Sequence, residues 1–456
     1  MKTLRDEPLP VTTMTAAVRD AASTDTALPA LLECDRALAK IGKRIRVLKA
    51  IDWPVELEER FLAAWRRGTP ELPAPPTEPE RLADEMAALD ALMRRLDRGH
   101  PIGNWLYKTA WSYHVAARML GAIGTPEFTR CSTWLYGRPD FRYRSQDITN
   151  ADSAAEMLAI TDEMVGHRRI PPVPFDIPAE RFAEMLRERI GTMFVHDDVA
   201  VVLDPRLSSK AVASGKRVAL RATALFSERD LDQLLQHEAF VHTLTSLNGK
   251  HQPNLTVLGL GAPRTTRTQE GLATFSEIIT GAIDIARLRR LALRVVMVKR
   301  ALDGADFIDV FRGFLDAGQS EIESYRSAAR VFRGGDVRGG VCFTKDGAYL
   351  EGVMIIHLFI RKVLQEGQGE LLGMLFAGRL TTSDVIMLAP YRESGLVIAP
   401  VYVPPWARDP QRVLSLMAFS AATQRLRLDQ FDLQRFVDFE DEVIAECGTY
   451  GQPPVA

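Results

Sequence analysis

Apolar residues recur at helical spacing over the first part of the chain, about residues 28–120. The positions with this spacing include Leu31, Leu32, Ala37, Leu38, Ile41, Ile45, Leu89, Leu92, Met93 and Leu96. Such spacing predicts amphipathic helices that pack one face on a core. Proline-rich stretches at residues 70–79 and 171–174 interrupt the pattern. We place a domain boundary at the second stretch, which gives an N-terminal helical region over residues 1–172.

Two short runs of apolar and β-branched residues follow this boundary. They are residues 199–203 and residues 218–225, and Asp, Pro, Ser and Gly bound them. Short runs of this composition with such boundaries are typical of strands. The residues between the two runs predict a loop.

A long helix is predicted from Ser227. Asp230, three residues later, completes a capping-box pattern with that serine. The pair Asn248 and Gly249 predicts a left-handed end to the helix.

Beyond about residue 268 the apolar residues again recur mainly at helical spacing, and this pattern breaks at residues 333–340 and 390–410. The predicted fold class is therefore α+β and mostly helical. We expect a core over residues 173–388 between the N-terminal helical region and a C-terminal helical region over residues 389–456.

Charge and hydropathy limit the partners. The 456 residues carry 57 Lys and Arg against 59 Asp and Glu, a formal net charge of -2. No overall field draws such a chain to a phosphate backbone, so we expect no nucleic-acid partner. The most apolar late segment, residues 353–364, contains charged side chains and is shorter than the ~20 apolar residues that span a bilayer. We therefore expect no membrane span.

Two features predict a cytoplasmic protein. The opening residues lack the apolar stretch of a signal peptide. The four cysteines are far apart in the sequence and form no CxxC pair: Cys34, Cys131, Cys342 and Cys447. Isolated cysteines of this kind are typical of small buried side chains in a reducing compartment.

Two histidines five residues apart, His237 and His242, lie within the predicted long helix, and Glu238 follows the first. In a regular α-helix, residues five apart point about 140° away from each other, so their imidazoles could not share one ion. A π-helical turn with i→i+5 hydrogen bonds restores both rings to one face, and such turns recur at functional sites. The spacing therefore predicts a π-helical turn.

A catalytic zinc takes three protein ligands and leaves a fourth position for water. Our third ligand is Glu270, which lies 28 residues after His242 at the start of another predicted helix. Gly271 would allow the two helices to approach closely. Glu238, beside the first ligand, is the predicted general base.

A structural interpretation of the same residues stays open at this point. His237 and His242 can be partly buried histidines with structural hydrogen bonds. Glu270 can be an acidic residue that the dipole favours at a helix start. Residues 266–269 also resemble a capping box, which would explain Gln269 without any chemistry.

Further motifs accompany the histidine pair. They are residues 269–273 (QEGLA), residues 333–335 (RGG) and residues 343–352 (FTKDGAYLEG). Together with residues 237–242, they resemble the bacterial "flavohemoglobin expression-modulating QEGLA motif" proteins, which are relatives of the eukaryotic microtubule-associated tyrosine carboxypeptidases. The resemblance is strongest over about residues 195–360.

The resemblance implies a function as well as a site. In the eukaryotic members, the equivalents of His237, His242 and Glu270 hold zinc and the equivalent of Glu238 is catalytic. The implied protein is a zinc peptidase with one Zn²⁺ ion and a gluzincin-like core, a carboxypeptidase that acts on the C-terminus of a peptide or protein. The eukaryotic enzymes remove the C-terminal tyrosine of α-tubulin. This chain shows no long basic extension of the kind that would hold a microtubule, so we do not expect tubulin to be its substrate.

Further residues are candidates for contact with the substrate. A carboxypeptidase must hold a terminal carboxylate, and arginine grips carboxylates in a bidentate manner. The substrate-binding candidates near the motifs are Arg264, Arg267, Arg330, Arg333 and Lys345. Tyr349 is the candidate donor to a developing oxyanion, and a packed helix residue is its alternative role.

The predicted strand at residues 218–225 precedes the metal helix, as does the edge strand that aligns an extended peptide in zinc peptidases. This order favours a peptide substrate. Two alternatives stay open: a zinc-binding regulatory protein without hydrolytic activity, and an aminopeptidase or endopeptidase of the same fold. An intact Glu238 argues against the first, because a pure scaffold needs no base.

Overall fold

Helices dominate the first part of the molecule, as the apolar spacing predicts. The structure is a computed structural model that describes residues 26–76, 78–143, 147–165, 174–207 and 209–423. The first helices are α1 (Leu28–Gly42), α2 (Val47–Ala50), α3 (Val55–Arg66), α4 (Ala83–Arg95), α5 (Pro101–Leu120), α6 (Pro126–Tyr136) and α7 (Asn150–Val165). The proline-rich stretch at residues 70–79 lies between α3 and α4.

Short strands of the described residues form two small sheets. The elements in this part are β1 (Ile177–Pro178), α8 (Ala179–Gly191), β2 (Ala200–Asp204), β3 (Ala211–Ser214), β4 (Arg217–Arg221) and β5 (Leu225–Phe226). β1 and β5 pair antiparallel. The larger sheet has the order β2-β4-β3, in which β4 runs parallel to β2 and antiparallel to β3.

The strand prediction is correct at residues 199–203 and needs correction elsewhere. Residues 218–225 are not one strand, because β4 ends at Arg221 and β5 belongs to the other sheet. The predicted loop contains β3, which the sequence conceals because its residues are small and turn formers flank it. Gly215 has φ +63° in the tight turn between β3 and β4, a conformation that favours glycine. Since β4 is central, β3 is an edge strand of this sheet.

The motif histidines lie in one continuous helical segment. It consists of α9 (Glu228–Leu234), a π-helix (Leu235–Thr243) and α10 (Leu244–His251). Ser227 caps α9 with a full capping box, in which its hydroxyl accepts from the Asp230 N–H and the Asp230 carboxylate accepts from the Ser227 N–H. The predicted start of the helix is confirmed.

The predicted end of this segment at Asn248 and Gly249 is wrong, because α10 continues to His251. Both residues have tertiary roles instead. The Asn248 amide donates to the carbonyls of Phe376 and Tyr402, each at 2.7 Å. A Cβ on Gly249 would collide with the Leu258 carbonyl.

Helices continue to the end of the described chain, as predicted. They are α11 (Thr266–Ile279), α12 (Ile285–Leu302), α13 (Phe307–Asp316), α14 (Glu321–Phe332), α15 (Ala348–Gln365), α16 (Glu370–Met374), α17 (Thr382–Leu388) and α18 (Pro410–Thr423). The breaks at residues 333–340 and 390–410 are confirmed, since residues 333–340 and 390–409 form turns, bends, irregular backbone and 3₁₀ segments.

An aromatic core holds α3, α12, α13 and α14 together. Phe61 of α3 lies 5.0 Å, between ring centroids, from both Phe307 and Phe311 of α13. Edge-to-face pairs of this kind add about 0.5–1.5 kcal/mol each beyond the area that they bury. Met297 and Val298 anchor α12 in the same cluster. The core therefore fixes the position of α12, whose first turn reaches the candidate site.

The described residues up to Arg408 form one compact unit, and those from Asp409 onward form another. The boundary that we place between residues 172 and 173 lies outside the described residues, so the three-region organisation stays a prediction. Cys34, Cys131 and Cys342 are buried free thiols, whereas Cys447 lies outside the described part. No helix of the described residues is long and apolar enough to cross a membrane.

Candidate metal centre

The π-helix brings the two motif histidines to one face. The ring centroids of His237 and His242 lie 4.8 Å apart. The rings would diverge in a regular α-helix, so the wide turn is what makes them a pair. The predicted i→i+5 geometry is confirmed over Leu235–Thr243.

Helix α11 supplies the third member of the group. The Oε2 atom of Glu270 lies 3.5 Å from Nε2 of His237 and 3.5 Å from Nε2 of His242. Two ligand atoms of a tetrahedral zinc lie about 3.4 Å apart, whereas a hydrogen bond needs about 2.7–3.2 Å. Glu270 Oε2 is buried and has no hydrogen-bond partner among the described residues. The ligand atoms of the three side chains lie within 4.8 Å of one another and could hold a metal ion.

The electrostatics of this group favour a cation. Burial raises the pKa of Glu270, but the Lys345 ammonium and the two neighbouring histidine rings hold that pKa well below its usual range. Burial lowers the pKa of His237, but the neighbouring carboxylates of Glu270 and Glu277 outweigh burial and raise that pKa to about 10. The carboxylates therefore attract a positive charge to the imidazoles, either a proton or a metal ion.

A second buried carboxylate touches His237, and the sequence reasoning missed it. Glu277 Oε1 lies 2.6 Å from His237 Nδ1, and Glu277 is 0% exposed. Arg287 of α12 binds both oxygens of Glu277, with Nη2 at 2.7 Å from Oε1 and Nε against Oε2. The Arg287 guanidinium holds the pKa of Glu277 down at about 2 although burial raises it. The spacing of two helical turns places Glu277 on the same face of α11 as Glu270, but that spacing is equally common in solvated helix acids.

Glycines set the position of α11, but against a different partner from the predicted one. A Cβ on Gly271 would collide with the backbone of Gly352 in α15, and a Cβ on Gly352 would collide with the Arg267 carbonyl. The close approach that Gly271 allows is therefore between α11 and α15. It fixes the depth at which Glu270 enters the site.

The capping-box interpretation of residues 266–269 is wrong. The N-cap of α11 is Thr265, and no side chain caps it. Gln269 instead accepts a hydrogen bond from the Thr245 hydroxyl of α10 at 2.8 Å. This bond ties α11 to the helix that carries the histidines.

Glu238 lies between the π-helix and the larger sheet. Its Oε2 accepts the Ala213 N–H of β3 at 2.8 Å. That bond orients the carboxylate and places the outer edge of β3 beside the metal group.

In the motif at residues 343–352, Lys345 contacts Glu270 and Tyr349 lies close to Lys345. Lys345 is buried, and its Nζ donates to Glu270 Oε1 at 2.7 Å. The Tyr349 hydroxyl lies 3.4 Å from Lys345 Nζ and 3.4 Å from Arg330 Nη2. Lys345 therefore orients a candidate metal ligand. We predicted from the sequence that Lys345 binds the substrate, and that prediction did not include its contact with Glu270.

Three arginines surround Asp346 next to Tyr349. Arg330 binds Asp346 in a bidentate manner at 2.7 and 2.6 Å, and Arg294 Nε lies 3.6 Å from the same carboxylate. Arg333 lies over the Phe343 ring, 5.2 Å from its centroid, and its Nε has no hydrogen-bond partner among the described residues. Arg294 was not a sequence candidate.

The other two candidate arginines are held by carboxylates. Arg264 binds Asp384 of α17 through both terminal nitrogens, at 2.7 and 2.8 Å. Arg267 Nε lies 3.2 Å from Glu351 of α15. Their role toward the substrate stays a prediction.

Arg379 is a further cation that the sequence did not reveal. Its Nη2 donates to the His242 carbonyl at 3.2 Å. Burial lowers the pKa of Arg379, while Glu270 and Glu238 act in the opposite direction. The structure therefore places a guanidinium on the backbone of the π-helix.

The chain matches a known protein family. The family model of the microtubule-associated tyrosine carboxypeptidases matches residues 59–425. The matched range is most of the chain and contains the whole candidate metal centre. A search of the curated proteins finds no match.

Proposed function

Because this chain belongs to the microtubule-associated tyrosine carboxypeptidase family, we propose that it is a zinc-dependent carboxypeptidase. The observation that carries the proposal is the equal 3.5 Å separation of Glu270 Oε2 from the two histidine Nε2 atoms. The family also implies a metallopeptidase-like core. The narrower resemblance to the bacterial QEGLA motif proteins stays a prediction.

The chain's own residues have distinct roles in this proposal. His237, His242 and Glu270 would hold the ion. A zinc ion bound there supplies Lewis acidity, which polarises the scissile carbonyl and makes water more acidic. Glu238 takes up the proton of the attacking water and passes it to the leaving amine. The hydrogen bond from Ala213 holds one oxygen of Glu238, so the other oxygen remains for the proton.

Strand β3 supports a peptide as the substrate. Its inner side pairs with β4, and its outer edge faces Glu238 through the Ala213 N–H. An extended peptide can add to such an edge by main-chain hydrogen bonds. The edge-strand role that we predicted for residues 218–225 is therefore proposed for β3.

The basic cluster around Asp346 supports the carboxypeptidase direction. Burial, together with repulsion from Arg330, lowers the pKa of Arg294 and of Arg333 to about 10. Arg330 and Arg294 share the single carboxylate of Asp346, and Nε of Arg333 has no hydrogen-bond partner among the described residues, so positive charge is in excess in this cluster. An incoming carboxylate would relieve that excess, and arginine is well suited to bind it.

Replacing Arg333 with methionine tests this carboxylate site. The variant should raise KM for a peptide with a free C-terminus by about 10–100-fold, because a hydrogen bond to a charged group contributes about 1.5–3 kcal/mol. Slow cleavage of a C-terminally amidated peptide should not change. Arg338→Met is the matched control, since Arg338 forms an exposed pair with Asp336. Equal effects of Arg333→Met on both peptides would remove Arg333 from the carboxylate site.

Replacing Tyr349 with phenylalanine tests the oxyanion donor. Lys345 and Arg330 can only donate hydrogen bonds, so the phenol oxygen accepts from them and its own hydrogen can point to a substrate oxygen. Loss of one oxyanion donor costs about 10²–10³ in kcat. The variant should show that loss with unchanged zinc content. Wild-type kcat would assign Tyr349 to packing.

Digestion of a peptide library with mass-spectrometric detection tests the proposed function as a whole. We expect release of a single C-terminal residue, tyrosine above others, with cleavage strongly slowed by C-terminal amidation and unaffected by N-terminal acetylation. Internal cleavage would indicate an endopeptidase instead of a carboxypeptidase. Loss of the first residue would indicate an aminopeptidase. We maintain that tubulin is not the substrate, and tyrosine release from purified tubulin would contradict that prediction.

A further inference from the structure

The imidazole of His237 lies between two carboxylates of a single helix. Glu270 Oε2 is 3.5 Å from Nε2, and Glu277 Oε1 is 2.6 Å from Nδ1. Both glutamates belong to α11. Residues seven apart on an α-helix point in nearly the same direction and lie about 10.5 Å apart along the axis. One face of α11 therefore contacts both nitrogens of the same ring.

The short contact at Nδ1 fixes the position of one proton. A nitrogen and a carboxylate oxygen 2.6 Å apart need a hydrogen between them. Arg287 cannot accept a hydrogen bond, and it already donates to the same Glu277 oxygen at 2.7 Å. Nδ1 of His237 therefore carries the hydrogen and donates it to Glu277. When the ring is neutral, as a metal-binding imidazole is, its lone pair is therefore on Nε2, the nitrogen that faces Glu270.

We propose that Glu277, held by Arg287, is a positioning residue that fixes the tautomer and the orientation of His237 for metal binding. The proposal rests on the proposed function insofar as zinc binds at this site. Carboxylates that accept from a ligating imidazole orient the ring and increase its basicity.

Arg287 makes Glu277 a rigid support. It binds both oxygens of a carboxylate that is fully buried, a geometry that restricts rotation of the acceptor. Arg287 is itself fixed at the start of α12, where its N–H donates to the N-cap residue Asp284 at 2.7 Å. The support therefore connects the metal group to the helix that is anchored in the aromatic core.

The second histidine lacks this support. Nδ1 of His242 is buried and has no hydrogen-bond partner within the described ranges. Glu277 therefore acts on one ligand alone. This asymmetry predicts that its loss weakens zinc binding without abolishing it.

The test is zinc affinity of the full-length protein, measured by competition with a chelator. A glutamine at position 277 is uncharged, and its NH₂ group cannot accept a hydrogen bond, so that group would face an N–H donor of Arg287 or of His237. Glu277→Gln should weaken zinc binding by about 10–100-fold. Asp384→Asn is the matched control, because it disrupts another buried bidentate arginine pair, that with Arg264. It should bind zinc as the wild type does.

A readout on the unmodified protein does not depend on the folding of a variant. Nitrogen-15 NMR of the histidine rings in the zinc-loaded wild type should show His237 protonated at Nδ1. Protonation at Nε2, or unchanged zinc affinity in folded Glu277→Gln, would overturn the positioning role. Tight zinc binding without peptide cleavage would overturn the proposed function alone. A wild type that binds no zinc would overturn both.

Discussion

Replacing Glu238 with glutamine is expected to remove most peptide hydrolysis and to leave zinc binding intact. Glu238 Oε2 accepts the Ala213 N–H at 2.8 Å, and the amide oxygen of glutamine can keep that bond. An amide cannot take up the proton of water, so the contribution of a general base, about 10²–10⁴-fold, is lost. The value of kcat should fall by that factor.

The measurement combines kcat on a peptide that ends in tyrosine with zinc content by elemental analysis. Glu228→Gln is the matched control, because Glu228 is an exposed glutamate of the same helical segment. A wild-type kcat in Glu238→Gln would refute the role of Glu238 as the general base. The regulatory alternative predicts a different result, in which wild type and variant both lack cleavage and have the same effect on expression in the host.

The sequence is sufficient for the part of the site that depends on local helix geometry. Two histidines five apart can share an ion only if the helix widens, and the π-helix Leu235–Thr243 has that geometry. The capping box at Ser227 is likewise a local pattern, and it appears as predicted. Spacing along one helix therefore predicts both the start of the segment and the pairing of its rings.

The supports of the site depend on tertiary packing, and local sequence does not reveal them. Glu277 has the same local pattern as a solvated helix acid, and only the fold places Arg287 and His237 against it. Arg264 stands in a turn-prone stretch that favours an exposed role, yet Asp384 binds it from 120 residues away. The same limit explains the missed β3, whose identity as a strand depends on its pairing with β4.

Glycine patterns illustrate the same distinction. The pair Asn248 and Gly249 has the composition of a helix end, but Gly249 is needed because the Leu258 carbonyl lies against it. Gly271 does allow a close helix crossing, although with Gly352 of α15. A glycine in the sequence thus predicts that another backbone segment approaches closely. Which segment that is depends on the fold.

Replacing His242 with alanine is expected to abolish zinc binding while the protein stays folded. Two protein ligands would remain where a catalytic zinc needs three. The variant breaks no hydrogen bond at Nδ1 of His242, because that nitrogen has no partner in the described part of the chain. The aromatic core of α3, α12, α13 and α14 is built without the π-helix. The fold should therefore not depend on the ion, unlike small zinc domains that unfold without it.

Thermal unfolding with and without zinc measures this effect. A ligand that binds only the folded state stabilises it by about 2.7 kcal/mol at a free concentration 100 times its Kd. Zinc at that level should raise the Tm of the wild type and leave the Tm of His242→Ala unchanged, while the two metal-free proteins share a far-UV circular dichroism spectrum. His251→Ala is the matched control, since His251 ends the same helical segment and pairs with Asp197 away from the metal group. It should respond to zinc as the wild type does. Equal stabilisation of His242→Ala by zinc would exclude His242 as a ligand and return the histidine pair to a structural role.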